Sequence, residues 1–156
     1  MSPPSTWHLI PKMESLPTQI QLEVVTPERE LVHESTLSVS IPAKNGYLGI
    51  LPGHAPLLSA LQPGELTYVE DHVTHLLSVS WGFVEVLPER VIVLAQTAER
   101  AEEIDVERAQ RAKRRAEDRL KNVTETDIDF ERARAALIRA LARLQAAGHM
   151  KGEPLA

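Results

Sequence analysis

The chain changes its hydrophobic period once, near residue 100, and this change restricts its fold more than any other feature. Before that point apolar and polar residues alternate, as in Gln19–Val25 (QIQLEVV) and Thr36–Ile41 (TLSVSI), which is the pattern of a strand with one buried face. After it, alanines and leucines recur at spacings typical of an amphipathic helix. Charge shifts at the same place: residues 1–99 hold 4 Lys and Arg against 11 Asp and Glu, and residues 100–147 hold 12 against 10. We therefore predict two structural units that meet near residue 100.

The first unit has the pattern of many short strands. Leu66–Glu70 and Val73–Val79 have strand composition and are separated by a turn at Asp71 and His72. Further on, SVSWGFVEV and VIVLAQ flank Leu87–Arg90, the pattern of two strands joined by a tight turn. Short strands at this spacing favour a sandwich or a barrel over a parallel sheet covered by helices.

The second unit is predicted to be a hairpin of two antiparallel helices. The first covers Ile104–Lys121 and the second Asp127–Ala147, where Thr126 with Asp129 resembles a capping box and Gly148 is a stop signal. Their apolar positions are Ala109, Ala112, Ala116 and Leu120 in the first helix, and Phe130, Ala133, Leu137, Leu141 and Leu144 in the second. A link this short makes the helices neighbours. Because alanine buries little, at ~0.8 kcal/mol per methylene-sized group, we expect the hairpin to be marginally stable.

The two units leave short segments at both ends. We predict a flexible N-terminal tail over residues 1–18, a β unit over 19–99, a helical hairpin over 100–148 and a flexible C-terminal tail over 149–156. The N-terminal segment is rich in proline and lacks the continuous apolar core of a signal peptide.

The stretch from Asn45 to Gly64 contains no Asp, Glu, Lys or Arg, so its length alone makes it a candidate membrane span. Its prolines and glycines would break a helix repeatedly, and lipid does not tolerate the unpaired backbone groups that would result. We therefore exclude a membrane span. Leu57, Leu58 and Leu61 are predicted to enter the core of the β unit instead.

The first part of this stretch, Asn45–Ile50, is predicted to be a glycine-hinged loop that carries Tyr47 and Leu48 outward. An apolar loop without charges is stable in water only when another molecule covers it.

Several kinds of chemistry are excluded. The chain has no cysteine, which removes disulfides, thiolate metal sites and cysteine nucleophiles. The pair His72 and His75 lacks a third ligand and is predicted to occupy a polar strand or turn rather than a metal site. No GxxxxGK[ST], GxSxG, HExxH or GxGxxG motif occurs, so we predict neither catalytic residues nor metal ligands. The net charge of -5 argues against a nucleic-acid partner.

Arginines are concentrated in the helical unit, and two interpretations of them stay open. Arginine suits bidentate recognition of carboxylates and phosphates. The acidic residues of the same helices are equally compatible with a solvated, charge-balanced surface. For the whole chain, one alternative is a free-standing β-sandwich that binds a small molecule and self-associates through its helices, since a narrow seam of alanine and leucine suits dimerisation.

Four segments together resemble the epsilon subunit of bacterial and chloroplast F-type ATP synthases: IQLEVVTPERELV, NGYLGILPGHAPLLSALQPGEL, SVSWGFVEVLPERVIVLAQTAERAEEID and DIDFERARAALIRALARL. The resemblance covers about residues 19 to 147. It implies a flattened β-sandwich of about eight to ten short strands, followed by an antiparallel two-helix hairpin.

The resemblance also implies a function. It indicates a non-catalytic subunit of the central stalk, or rotor, whose partners are the gamma subunit, the c ring and the beta subunits with alpha. Its implied location is peripheral, on the cytoplasmic side of a bacterial cell membrane. The helical hairpin would restrain ATP hydrolysis by moving between a folded and an extended position. No cofactor is required, and ATP is a regulatory ligand in some members of the family.

Three sets of residues are implied by the same resemblance. The loop that meets the c ring and gamma holds Gly46, Tyr47, Leu48, Gly49 and His54. The contact with the catalytic hexamer holds Arg111, Arg114, Arg115, Arg132 and Arg134. An ATP site would hold Glu99, Asp105, Arg108, Arg139 and Arg143, because Ile104–Ala109 (IDVERA) matches the form I/L-D-x-x-R-A found in ATP-binding members.

The sequence departs from the family pattern at two positions. Tyr47 stands where many relatives carry an acidic residue, so we expect an apolar or hydroxyl contact with the c ring. Trp81 replaces the first of two glycines. Within the ATP set, Asp105 and Arg108 also have a structural explanation, as a helix cap and a surface charge.

Overall fold

The computed structural model describes residues 15–124 and 128–152. Eight strands precede two helices: β1 (Ile20–Val25), β2 (Glu30–Thr36), β3 (Ser38–Ala43), β4 (Gly46–Ile50), β5 (Leu57–Ala60), β6 (Gly64–Glu70), β7 (Val73–Leu87), β8 (Arg90–Arg100), α1 (Val106–Lys121) and α2 (Ile128–Met150). One turn of 3-10 helix, Ala101–Glu103, connects β8 to α1. The predicted fold class, a β-sandwich followed by a helical hairpin, is confirmed, and the period of the apolar residues changes where the strands end.

The strands form one continuous sheet that folds into two layers. The order is β2-β1-β8-β7-β6-β3-β4, with β5 paired to β7. Strand β6 pairs with residues 73–79 of β7, and β5 pairs with residues 83–86 of the same strand. Because β5 and β6 lie end to end along one edge of β7, that long strand belongs to both layers. Strand β8 also belongs to both layers, because it pairs with β1 over residues 90–94 and with the first half of β7 over 97–100.

A kink divides β7 between the layers. It lies at Trp81 and Gly82, whose φ angles are 55° and 115°. A Cβ atom built on Gly82 would lie 1.9 Å from the backbone oxygen of Leu94, so only glycine fits there. Trp81, the other residue at the kink, is partly buried. Gly82 is therefore required by the close approach of β7 and β8.

The core between the layers is aliphatic. Alternate residues of β1, namely Ile20, Leu22 and Val24, are completely buried, as their period predicted. Tyr68 on β6 is the largest fully buried side chain among the described residues.

The prediction for the three leucines of the uncharged stretch is partly wrong. Leu61 is 1% exposed, whereas Leu57 is 39% and Leu58 69% exposed. Adjacent residues of a strand point to opposite faces, so Leu57 and Leu58 on β5 cannot both enter the core. Leu58 lies opposite Glu85 of β7, on the face that water reaches.

The prediction that residues 45–50 form a loop is wrong. Residues 46–50 form the edge strand β4, which pairs with β3. Leu48 packs against the core rather than outward, and Tyr47 is 57% exposed. The alternation of a strand explains why these neighbours differ, and it leaves Tyr47 as the outward-facing apolar residue of β4.

The two helices meet along alanines. Buried alanines recur at seven-residue spacing, at Ala109 and Ala116 on α1 and at Ala133, Ala140 and Ala147 on α2, and α2 also buries Ala142 and Ala146. Small side chains at this repeat let the helix axes approach closely. Leu141, predicted to lie on the buried stripe, is instead 44% exposed. The predicted capping box at Thr126 lies outside the described residues.

Helix α2 does not stop at Gly148. It continues to Met150, so the predicted flexible tail beginning at residue 149 is wrong for residues 149 and 150. A glycine in a helix costs about 1 kcal/mol relative to alanine, and the contact of His149 with the sheet offsets that cost. After Met150 the chain turns away at Gly152, which has a φ of 73° and whose N–H donates to the carbonyl of His149.

Candidate functional site at the contact of the hairpin with the sandwich

Three polar residues form a row on the outer face of the sheet. Glu65 on β6 lies opposite Ser78 on β7, and Ser78 lies opposite Glu99 on β8. Side chains of residues that lie directly opposite share one face, so all three point toward α2, which packs on β6 and β7. We call Glu65, Ser78 and Glu99 the docking row.

Two side chains of α2 contact the acids of the docking row. Arg143 Nε donates to Glu99 Oε2 at 2.7 Å, and both side chains are about one-third exposed. His149 Nδ1 lies 2.5 Å from Glu65 Oε2, and this pair is more buried, with side-chain exposures of 26% and 9%. Ser78, between the two acids, is 4% exposed.

An apolar contact lies beside these pairs. Ala146 and Ala147 of α2 form a small buried cluster with Ala101 and Ile104, and Leu76 of β7 packs against it. Helix α1 packs on α2 rather than on the strands. The hairpin is therefore held to the sandwich by a few apolar side chains, the Arg143–Glu99 ion pair and the His149–Glu65 contact.

The connection between the units has one further ion pair, which spans 74 residues of sequence. Arg29, in the turn after β1, donates to Glu103 at 2.7 Å. This hydrogen bond lowers the pKa of the Glu103 carboxyl. The pair ties the 3-10 turn to the β1–β2 turn, and the sequence had no local signal for it.

The five residues of the predicted ATP site fall into two pairs and one separate arginine. Glu99 and Arg143 contact each other. Asp105 caps α1 by accepting a hydrogen bond from the backbone N–H of Arg108 at 3.0 Å, the structural role that its position allowed. Arg108 is exposed, and Arg139 lies partly buried on α2 one turn before Arg143.

A cavity of about 280 Å³ lies between the first turns of α1 and the last turns of α2. It is lined by Val106, Gln110, Leu144, Ala147, Gly148 and Lys151. None of the five predicted ATP residues lines this cavity.

The arginines of the predicted hexamer contact are on the outside of the hairpin. Arg111, Arg114 and Arg115 are exposed on α1, and Arg132 and Arg134 are exposed on α2. Among the described residues, Arg111 pairs with Glu107 and Arg132 with Asp129 of their own helices, each at 3.8 Å. Such exposed pairs contribute about 0.3–0.5 kcal/mol, so the guanidinium groups remain available to a partner.

The residues of the predicted c-ring and gamma loop lie on β4 and just after it. Gly46, Tyr47, Leu48 and Gly49 belong to that edge strand. The Tyr47 hydroxyl accepts a hydrogen bond from the backbone N–H of Glu65 at 3.1 Å. His54 follows β4, and its Nδ1 donates to the carbonyl of Ala55 at 2.7 Å.

Sequence reasoning missed an apolar face on the other layer. Phe83 on β7 and Leu94 on β8 lie directly opposite each other and are 58% and 55% exposed. Leu58 on β5 is their neighbour on the same face, because it lies opposite Glu85. We call Leu58, Phe83 and Leu94 the apolar face. The alternation in SVSWGFVEV carried the signal, since Phe83 lies at an exposed position of that strand.

Two classes of site are absent from the described ranges. No group of three or more His, Cys, Asp or Glu residues within 15–124 and 128–152 is placed to hold a metal ion. No helix of those ranges is long and apolar enough to cross a membrane.

Comparisons with known proteins point to the same family for both halves of the chain. Family models described as the ATP synthase delta/epsilon chain match residues 19–101 as the beta-sandwich domain and residues 102–148 as the long alpha-helix domain. The ATP synthase epsilon chain of Herpetosiphon aurantiacus is 52% identical over 128 residues, covering 82% of this chain and 93% of the relative. That of Solibacter usitatus is 50% identical over 132 residues, covering 85% and 98%.

Two solved structures share the fold. A chain in the mitochondrial ATP synthase of Euglena gracilis, in an assembly of OSCP, F1 and c-ring, superposes with a TM-score of 0.65 at 21% identity, covering 97% of this chain and 95% of the other. A chain in the central stalk and c-ring of the Tetrahymena thermophila mitochondrial ATP synthase superposes with a TM-score of 0.53 at 15% identity, covering 84% and 99%.

Proposed function

Since this chain belongs to the epsilon chains of ATP synthase, we propose that it is a non-catalytic rotor subunit of the F-type enzyme, which attaches through its sandwich and restrains ATP hydrolysis through its hairpin. The observation that carries the proposal is the match of both structural units, in order, across residues 19–148. The proposed partners are the gamma subunit, the c ring and the beta subunits with alpha. The proposed location is the cytoplasmic side of a bacterial membrane.

The apolar face supports attachment to gamma. Leu58, Phe83 and Leu94 are each more than half exposed and lie together on one layer, whereas apolar residues of this size are ordinarily buried. An aromatic side chain at the centre of such a patch is typical of residues that dominate binding. The sandwich would thus attach to gamma by burying this face.

The edge strand β4 supports a second contact, with the c ring. Tyr47 is 57% exposed, and its ring offers a partner an apolar surface without a charge. Its hydroxyl is already held by the backbone of Glu65, so the ring is fixed in orientation. We assign Tyr47 an apolar contact with the c ring, flanked by Gly46 and Gly49, which let the partner approach the backbone.

We predict that the double variant Phe83→Asp, Leu94→Asp weakens binding to the gamma subunit at least roughly tenfold, because each aspartate would be desolvated at the interface. The measurement is copurification and titration of the subunit with gamma. Val73→Asp is the matched control, since Val73 is 54% exposed at the start of β7, outside the apolar face. Equal gamma binding by the double variant and the control would rule out attachment through this face.

The outward arginines of the hairpin support a contact with the catalytic hexamer. Arg111 and Arg132 pair with acidic neighbours of their own helices at 3.8 Å, so an acidic segment of the beta subunit could replace those neighbours at low cost. The folded position of the hairpin depends on small contacts, so movement toward the hexamer is also inexpensive. The hairpin is therefore proposed as a two-state brake.

We propose that ATP binds the folded hairpin through Arg108 and Arg139, with Arg143 taking part only if a phosphate displaces Glu99. Such displacement would replace one charged partner of the guanidinium by another. Asp105 would serve as a helix cap with or without nucleotide.

The expected result of titrating the isolated subunit with ATP is saturable binding that the double variant Arg108→Ala, Arg139→Ala weakens by roughly tenfold or more, from the loss of charged hydrogen bonds. Arg132→Ala is the matched control, because Arg132 lies on the same helix near its other end. Identical curves for all three proteins, or no binding by any, would remove the ATP site from the proposal.

Membership of the epsilon chains favours this role over a free-standing small-molecule-binding sandwich with a self-association arm. The two differ in one simple measurement. Purification of the native chain should recover ATP synthase subunits, and a stable homodimer without a gamma partner would favour the free-standing protein.

A further inference from the structure

The spacing of the Arg143–Glu99 and His149–Glu65 contacts shows how α2 is placed on the sheet. Glu65 and Glu99 are separated by one strand, so their backbones are roughly 10 Å apart, which is two strand spacings. His149 lies six residues after Arg143 on α2, a rise of about 9 Å. The helix therefore crosses the strands with each basic side chain above one acid of the docking row.

The two pairs differ in burial, and this difference decides which one controls docking. The Arg143–Glu99 pair is about one-third exposed on both sides and is screened by water. Glu65 has a side-chain exposure of only 9%, and its carboxylate is paired with His149. A buried carboxylate without a partner is unfavourable, whereas water would solvate it once the helix had moved away.

We infer that His149 and Glu65 form a latch that holds the hairpin on the sandwich without nucleotide and must open before the hairpin can leave. The inference rests on the proposed two-state hairpin and adds the residues that keep it folded. The latch is joined to the predicted ring-facing edge of the sandwich, because the backbone N–H of Glu65 donates to the hydroxyl of Tyr47.

The latch also explains the course of α2. The helix passes through Gly148 to reach Met150, and this extension places His149 over β6. A helix that ended at the glycine would leave the Glu65 carboxylate in the docking row without its partner from α2.

The chain contains no cysteine, so one introduced thiol reports on the latch. Ser78 lies between the two acids and is 4% exposed, and Ser78→Cys is a small change. The rate at which a soluble thiol reagent modifies this cysteine in the full-length subunit measures the fraction of time that α2 is lifted.

His149→Ala should raise that labelling rate by roughly tenfold or more, because the docked state then contains a buried carboxylate with its partner removed. Glu65→Gln should raise it less, since the amide is neutral. Adding Glu65→Gln to His149→Ala should slow labelling relative to His149→Ala alone, because the unpaired charge is gone.

The matched control is His33→Ala. His33 makes a histidine–carboxylate contact of the same kind, with Glu30 at 2.7 Å on the edge strand β2, where both side chains are about half exposed or more. A second reporter, Val84→Cys in the sandwich core, distinguishes lifting of the helix from unfolding and should keep its labelling rate in every variant.

Unchanged labelling of Cys at position 78 in the His149→Ala protein, or rate increases that simply multiply in the double variant, would overturn the latch. Neither result would affect the proposed brake, which is tested by hydrolysis in the assembled enzyme. Conversely, a labelling response without any effect of the hairpin on hydrolysis would retain the latch and reject the brake.

Discussion

Assembled ATP synthase whose epsilon chain lacks residues 101–156 should hydrolyse ATP roughly fivefold faster or more than the complex with the full chain, the size that regulatory couplings of about 1–3 kcal/mol produce. The physical reason is that the extended hairpin can restrain the hexamer only while its arginines are present. Truncation removes Arg111, Arg114, Arg115, Arg132 and Arg134 together. The measurement is steady-state ATP hydrolysis by the purified complex.

The truncation begins where the sandwich ends, so the apolar face and Tyr47 are retained. It does expose Leu76 and removes the partner of Arg29, and assembly must therefore be measured separately, by the gamma content of the complex. A full-length chain with Arg114→Ala and Arg115→Ala provides a milder version of the same change. Hydrolysis that stays at the full-length rate in a normally assembled complex would rule out the brake.

Replacement of Gly82 should cause the largest loss of stability of any single substitution discussed for the sandwich. Gly82→Ala places a Cβ atom 1.9 Å from the Leu94 carbonyl oxygen at a φ of 115°. That oxygen belongs to β8, which is held by β7 on one side and β1 on the other, so it cannot move away easily. We expect a loss of about 3 kcal/mol or more in the free energy of unfolding, from strain and overpacking together.

For a unit of this size, that loss lowers the melting temperature of the isolated subunit by roughly 12 °C or more. Gly49→Ala is the control, because a Cβ at Gly49 meets nothing within 4 Å and its φ is not positive. Its melting temperature should stay within roughly 3 °C of the original. Similar stability of the two variants would mean that β7 does not need its kink.

Features that depend on local period were predictable from the sequence. The alternation in Ile20–Val25 predicted which residues of β1 are buried, and the alanine spacing of α1 predicted its contact with α2. Features that depend on pairing over long separations were not. His149 and Glu65 are 84 residues apart, and Arg143 and Glu99 are 44 apart, so their contact required the fold.

The incorrect predictions share a cause: they followed local sequence signals at positions where tertiary contacts determine the structure. Gly148 is a stop signal in isolation, yet contacts of the following residue with the sheet extend the helix. Asn45–Ile50 has the glycines of a loop, yet β3 supplies hydrogen-bond partners that make it a strand. For the ATP set, residue types predicted recognition of phosphate, but they could not predict that Arg143 already has a carboxylate partner.

The two layers of the sandwich share the strands β7 and β8, and this has a mechanical consequence. In a sandwich built from separate sheets, sideways force on one sheet is resisted only by the packing of side chains between them. Here β7 and β8 run through both layers, so shear between the layers would have to bend the backbone of both strands and break their mutual hydrogen bonds. A twisting load applied at the apolar face would pass into the other layer through the continuous backbone of β7 and β8, and from there to Tyr47 through the hydrogen bonds that join β6, β3 and β4.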